Sequence, residues 1–456
     1  MQPATRRPAR IVAATTGAAA LVLAMFPGVA AASADDGTLA MCLGLEVTIR
    51  GTGHRDVIHG TPGDDVIAGG RGGDQIFGGD GNDTICGDAG NDRLYGEAGD
   101  DQLDAGTGLR SGEHPGGDNL DGGPGNDTIE GGDDGDHDDL YFATATGGIT
   151  VDLETGLATG PGVGTDHISG IDHVYGTDFR DRIIGVEYVD AGARNDVVLR
   201  CRVIQGGPGD DRMTTLLDSG GFINGGLGDD RGRNAWVQYG KSGNDVLIGG
   251  ASADQLFGGG GDDVLRGRGS TDHLAGFIGS DTLRGGSEFD EANYLGENGG
   301  VVIDGRAGTA ITPSGLDTIR GVESVDTSVY ADVVRHIEVV DSSDGDDRVR
   351  GARLVNAGQG KDVLFGRRQG SELHGSSGND TIHGGAGPDQ LFGDADDDRI
   401  LGAGADDTLN GGDGDDYLDG GAQTDSGDGG LGSDTCVNIE TVVACELDDG
   451  ARTISR

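Results

Sequence analysis

The chain has 456 residues, a formal charge of −48, 94 glycines and 4% aromatic residues. That acidity excludes nucleic acid as a natural partner, since phosphates would be repelled. The glycine density excludes long helices, because each interior Gly costs about 1 kcal/mol there.

Arg6, Arg7 and Arg10 open the chain, Ile11 to Phe26 is apolar and rich in alanine, and Ala32-Ser33-Ala34 offers a cleavage site before Asp35. This order predicts a secretory signal peptide over 1–34, and with it a secreted, extracellular protein. No later stretch is long and apolar enough for a transmembrane span. Residues 35–50 are read as an N-terminal cap.

From Gly51 a nine-residue unit, G-G-x-G-x-D-x-U-x with U a large aliphatic, runs unbroken through Asp104: GTGHRDVIH, GTPGDDVIA, GGRGGDQIF, GGDGNDTIC, GDAGNDRLY, GEAGDDQLD. The sixth position holds Asp56, Asp65, Asp74, Asp83, Asp92 and Asp101. The eighth holds Ile58, Ile67, Ile76, Ile85, Leu94 and Leu103. Few aromatics and high charge would otherwise signal disorder. Strictly periodic aliphatics argue instead for a thin internal core. One unit is too short to close a coil, but two make a turn of 18 residues, and such turns stack at about 4.8 Å. Glycine lets the connecting loop adopt φ > 0 and turn its carbonyls inward. Asp then adds a hard anionic oxygen. Calcium takes about six to eight such oxygens with tolerant geometry, whereas magnesium dehydrates reluctantly.

This first block covers 51–140, loosening after Asp104 and resuming at Gly122 with GGPGNDTIE. A second block covers 240–291, with Asp245, Asp254, Asp263, Asp272 and Asp281. A third covers 357–435, with Asp362, Asp380, Asp389, Asp398, Asp407, Asp416 and Asp425. Weak or absent sites are expected at GRRQGSELH, where Gln369 and Ser371 replace Gly and Asp. The same holds for the Asp290 unit, which ends in Ala292, and for Gly427 at a core position. The linkers 141–239 and 292–356 resemble each other: GGITVDLETGLATG matches GGVVIDGRAGTAIT, and VEYVD matches IEVVD. Val, Ile and Thr alternate there with polar residues, which predicts short strands that continue the solenoid. A C-terminal cap is assigned to 436–456.

Exported chains keep disulfides. Cys436 and Cys445 lie close in sequence and are expected to pair. Cys42 and Cys86 are the second pair. In a regular coil they would stand roughly 10 Å apart, beyond disulfide reach, so their bond requires Cys42 to fold back as a cap. Cys201 is left over, and the duplicated segment has Ala352 at its position.

The unit resembles the RTX, or hemolysin-type, calcium-binding repeat. The resemblance implies an all-β fold, a right-handed parallel β-roll or β-solenoid of nonapeptide repeats, interrupted by the two related linkers. It also implies ions held between successive turns, on pairs such as Asp56/Asp74, Asp65/Asp83, Asp245/Asp263 and Asp380/Asp398, and on the order of ten Ca2+ in all.

No catalytic signature accompanies the repeats. There is no H-E-x-x-H and no G-x-S-x-G. His54, His59 and His137 are read as variable polar positions of the repeat. The third position of the first block reads Gly53, Pro62, Arg71, Asp80, Ala89, Ala98, too irregular for an ice-binding face. The sequence therefore reads as a secreted, non-enzymatic protein that folds on binding multiple Ca2+ outside the cell. The alternatives are a calcium-rigidified surface or adhesive structural protein and, third, an extracellular polysaccharide-active enzyme. Calcium ions are the expected partners, with cell-envelope or extracellular polymers left open.

Overall fold

The computed structural model describes residues 9–12, 40–106, 117–132, 137–216 and 220–447. The leader and the start of the cap lie outside these residues, apart from the strand Ala9–Val12, which runs parallel beside Asp56–His59. The expected repeat positions in 107–116 and 133–136, and the last residues of the C-terminal cap, also lie outside them. Among the described residues every regular element is a strand. The chain divides into two units, Met1–Leu216 and Leu217–Arg456.

Each unit is a parallel β-solenoid, as expected. In the first, Ile58 pairs in register with Ile76 and Ile76 with Leu94 on one face. On the other, Ile67 pairs with Ile85 and Ile85 with Leu103. These side chains are at most 1% exposed. The core is thus two facing ranks of aliphatics, one per nonapeptide. In the second unit Leu247, Leu256, Leu265, Leu274 and Leu283 continue the same scheme.

The linkers extend the stack, with two differences from the expected regular coil. First, each contains an antiparallel excursion. Thr150–Asp152, Leu157–Gly160 and Gly164–Ser169 pair antiparallel in sequence, while their outer strands join the solenoid in parallel. Val302–Asp304, Thr309–Ile311 and Leu316–Arg320 repeat the arrangement. The chain reverses because Asp152 Oδ1 accepts the N–H groups of Glu154 and Thr155 at 3.0 and 3.2 Å, and Gly156 then takes φ +69°. Asp304 and Gly308 do the same in the second copy.

Second, the linker turns are shorter. Successive acids stand 18 residues apart in the regular blocks but 15 apart in the linkers. One half of each short turn is still nine residues. The other half, as in 185–190, 200–205, 336–341 and 351–356, is six. Each six-residue arm opens on a left-handed residue: Gly185 φ +75°, Arg200 φ +58°, His336 φ +59°, Gly351 φ +81°. A buried apolar residue follows at the corner: Val186, Cys201, Ile337 or Ala352. That explains Cys201, an unpaired buried thiol filling a corner where its counterpart is alanine.

Cys42 and Cys86 are bonded, with Cα atoms 5.8 Å apart. Met41–Cys42 and Leu45–Glu46 form a tight hairpin over Leu43 and Gly44, both at φ > 0, which folds Cys42 back as the cap requires. Cys436 and Cys445 are bonded as well. The C-terminal strands Thr435–Val437, Thr441–Val443 and Glu446–Leu447 prolong the solenoid in register.

Candidate metal sites

The sixth-position acids form continuous ladders. Asp74 Oδ1 accepts the N–H of Asp56 at 2.8 Å, Asp92 Oδ1 that of Asp74 at 2.6 Å, and Asp101 Oδ1 that of Asp83 at 2.7 Å. The second and third blocks repeat this through Asp245, Asp263 and Asp281, and through Asp380, Asp398 and Asp416. One oxygen of each ladder carboxylate is therefore committed to the backbone of the turn before.

The other oxygen is not. Oδ2 of Asp74, Asp83, Asp92, Asp101, Asp245, Asp263, Asp272 and Asp281 is buried without a hydrogen-bond partner. So is that of Asp362, Asp380, Asp389, Asp398, Asp407, Asp416 and Asp425. An unpartnered buried charge costs several kcal/mol, so it must bind a proton or a cation. Burial pushes the carboxyls of Asp83, Asp92 and Asp101 up to about 7 and those of Asp263 and Asp398 up to about 8. Neighbouring carboxylates of the ladder add to the rise, and the N–H from the preceding turn opposes it.

The loop around each Oδ2 leaves room for a cation. A Cβ on Gly78 would lie 2.5 Å from Asp83 Oδ2 and 2.5 Å from the Gly96 carbonyl oxygen. On Gly402 it would lie 2.5 Å from Asp407 Oδ2 and 2.6 Å from the Gly420 oxygen. First-position glycine thus keeps open a cradle faced by one carboxylate and one carbonyl from the next turn. Left-handed residues at the second and fourth positions, such as Gly79 at φ +113° and Gly81 at φ +117°, turn the loop. Among the described residues no three His, Cys, Asp or Glu side chains converge on one point. Backbone carbonyls must therefore supply most of the donors. A hard, all-oxygen, carbonyl-rich set fits calcium.

Certain nominated residues differ. Asp65 Oδ2 accepts the Thr61 N–H at 2.6 Å and its hydroxyl at 2.7 Å. Asp56 is held likewise by Thr52, at 2.5 and 2.7 Å. Asp254 Oδ2 accepts the Gly250 N–H at 2.6 Å. Where Asp is missing, Ser371 Oγ accepts the Arg367 N–H at 2.9 Å, so this turn closes itself. Asp290 and Asp425, both nevertheless in the ladder, are followed by glutamates: Glu323 accepts the Asp290 N–H and Glu440 the Asp425 N–H. Ile439 fills the space beside Gly427.

Sequence reasoning missed ladder acids, most of them in the linkers and two, Asp127 and Asp434, within the first and third blocks. Asp127, Asp166, Asp181, Asp196, Asp317, Asp332, Asp347 and Asp434 are all buried in the same positions. The signal was present: almost all of these acids precede a buried apolar residue by two positions, as in Asp181-Arg182-Ile183 and Asp347-Arg348-Val349.

The model of the RTX calcium-binding nonapeptide repeat matches residues 50–85, 83–108, 115–137, 239–274, 257–291, 374–409 and 401–436. The chain carries RTX calcium-binding repeats. The matched segments contain the ladders with the open cradles, so the RTX repeats make this a calcium-binding β-roll. No curated protein matches the chain. Among the described residues no helix is long and apolar enough to cross a membrane.

Proposed function

We propose that this chain is a secreted protein that folds around multiple Ca2+ once outside the cell and has no catalytic role of its own. The observation that carries the reading is the rank of buried Asp Oδ2 atoms with no protein partner. The proposed ligands are the sixth-position acids from Asp74 to Asp101, from Asp245 to Asp281 and from Asp362 to Asp425, with Asp254 held by its own loop. Asp56 and Asp65 contribute only their N–H groups to the next turn's acid.

Calcium supplies the positive charge that lets the carboxylates stay ionised while buried. Extracellular modules bind it at about 0.1–1 mM. A site at [Ca2+] equal to its Kd adds about 0.4 kcal/mol, so on the order of ten sites shift folding by about 4 kcal/mol. That is comparable with the net stability of a whole domain. In a cytosol poor in calcium, a chain of charge −48 would repel itself and stay open for export.

The decisive experiment is a far-UV circular dichroism titration of residues 35–456 with calcium, with magnesium as control. A cooperative gain of β signal with calcium alone supports the proposal. A full β signal in chelator, unchanged by calcium, overturns it. A second reading, a calcium-rigidified surface or adhesive spacer, draws support from the disulfides Cys42–Cys86 in the first unit and Cys436–Cys445 in the second. Binding of the calcium-loaded protein to cell-envelope or extracellular polymers would favour it. A screen against uronate polymers tests the enzyme alternative.

A further inference from the structure

The segments 138–238 and 292–373 lie outside the matched repeats, yet half of each short turn there keeps the loop of a regular one. In 191–196, Gly192 and Arg194 take φ +91° and +86°. In 342–347, Ser343 and Gly345 take φ +62° and +132°. These are the second and fourth positions that are left-handed in the matched repeats. The acid that follows is equally buried: Asp196 is 1% exposed and Asp347 0%. Asp196 Oδ1 accepts the Asp181 N–H at 2.7 Å, and Asp347 Oδ1 accepts the Asp332 N–H at 2.7 Å. Oδ2 of each has no hydrogen-bond partner.

The opposite, six-residue half is built differently. Its ladder position is taken by Glu187 and then Arg202, whose side chains pair at 2.6 Å. In the second copy it is taken by Glu338 and then Arg353, paired at 2.9 Å. An exposed Arg–Glu ion pair stands where the regular turn has only acids.

We propose that Asp196 and Asp347 each build a further divalent-cation site, so that the linkers bind calcium on one face only and use arginine as the built-in cation of the other. The inference rests on the reading that the regular repeats hold calcium. Ala191 and Ser342 stand at the first position in place of glycine. Their Cβ atoms narrow the cradle, so these sites fill after those of the regular blocks. Calcium is the cation class because every available donor is a hard oxygen.

The test counts ions by native mass spectrometry on the calcium-saturated full chain, wild type against the Asp196→Asn, Asp347→Asn double variant. Asparagine keeps the Oδ1 acceptor and removes the charge. The expected result is about two fewer Ca2+ per chain, one for each carboxylate lost. An unchanged count overturns this inference alone. A wild type that binds no calcium overturns it together with the reading it rests on. Should the variant misfold, hydrogen exchange of the wild type decides. Protection of 191–199 and 342–350 that rises with calcium, later than that of 255–283, supports the sites. Protection already complete in chelator overturns them.

Discussion

The N–H of Asp65 donates to Asp83 Oδ1 at 2.8 Å, yet the two acids are not equivalent. Asp65 has its second oxygen closed by Thr61, while the second oxygen of Asp83 is buried and open. The same closure recurs where a ladder restarts: Thr177 on Asp181, and Ser328 on Asp332. A self-closed turn gives the first ion-dependent turn a finished platform. We expect Thr61→Val to lower stability in saturating calcium by about 2 kcal/mol, the scale of one hydrogen bond to a charged group, with the number of bound ions unchanged. Urea unfolding and an ion count would show this. Loss of an ion would mean that Asp65 is itself a ligand.

Gly78 should resist even the smallest side chain. The Cβ of Gly78→Ala would sit 2.5 Å from both Asp83 Oδ2 and the Gly96 oxygen, in the proposed cradle. Calorimetric titration should show at least a tenfold loss of affinity at one site, about 1.4 kcal/mol. Gly63, where a Cβ would have nothing within 4 Å, is the control, and Gly63→Ala should leave binding as it is.

In the proposed arrangement neighbouring sites share acids, so their losses should couple. Asp74→Ala combined with Asp83→Ala removes one acid from each face. It leaves the N–H groups of Asp56 and Asp65 without their acceptors. The variant is expected to lose more calcium than two independent sites would account for. An unchanged affinity and an unchanged folding transition would refute the shared-ion arrangement.

Acid should replace calcium in part. The ladder carboxyls rise from 3.8 to between about 6 and about 8, chiefly through burial. Between those values the folded, metal-free chain holds more protons than the unfolded one, so its stability falls as pH rises. In chelator, β signal present near about pH 4.5 should fade by about pH 8. Calcium should restore it there and release protons as it binds. A metal-free chain more folded at pH 8 than at pH 4.5 would contradict this burial-driven protonation.

The N-terminal disulfide closes a separation of 44 residues and the C-terminal one a separation of 9. Chain entropy then assigns about 4 kcal/mol to the first and about 2.5 kcal/mol to the second. Cys42→Ser with Cys86→Ser should accordingly cost more stability than Cys436→Ser with Cys445→Ser, measured by denaturant unfolding at fixed calcium. Equal losses would mean that neither closure acts mainly through the unfolded chain.

The repeat, its core and most of the acids are legible in the sequence alone. A period of nine with Ile76, Ile85 and Leu94 at fixed positions leaves one face of each strand to bury. Asp and Gly at fixed offsets dictate a loop through local dihedral preference alone. Those are short-range facts, legible within nine residues. The tertiary structure decided what depends on which turns become neighbours. That Asp196 stacks on Asp181, and Asp347 on Asp332 and, through Asp362, on Asp380, follows from the 15-residue register, which no nine-residue window contains. The closure of Asp65 by Thr61 needed the loop's geometry, because Thr at a variable position looks like any polar residue until its hydroxyl is placed. The Glu187–Arg202 pair required two half-turns 15 residues apart to be stacked. Cys42 reached Cys86 only because a hairpin at Leu43 and Gly44 turned the chain back over the stack.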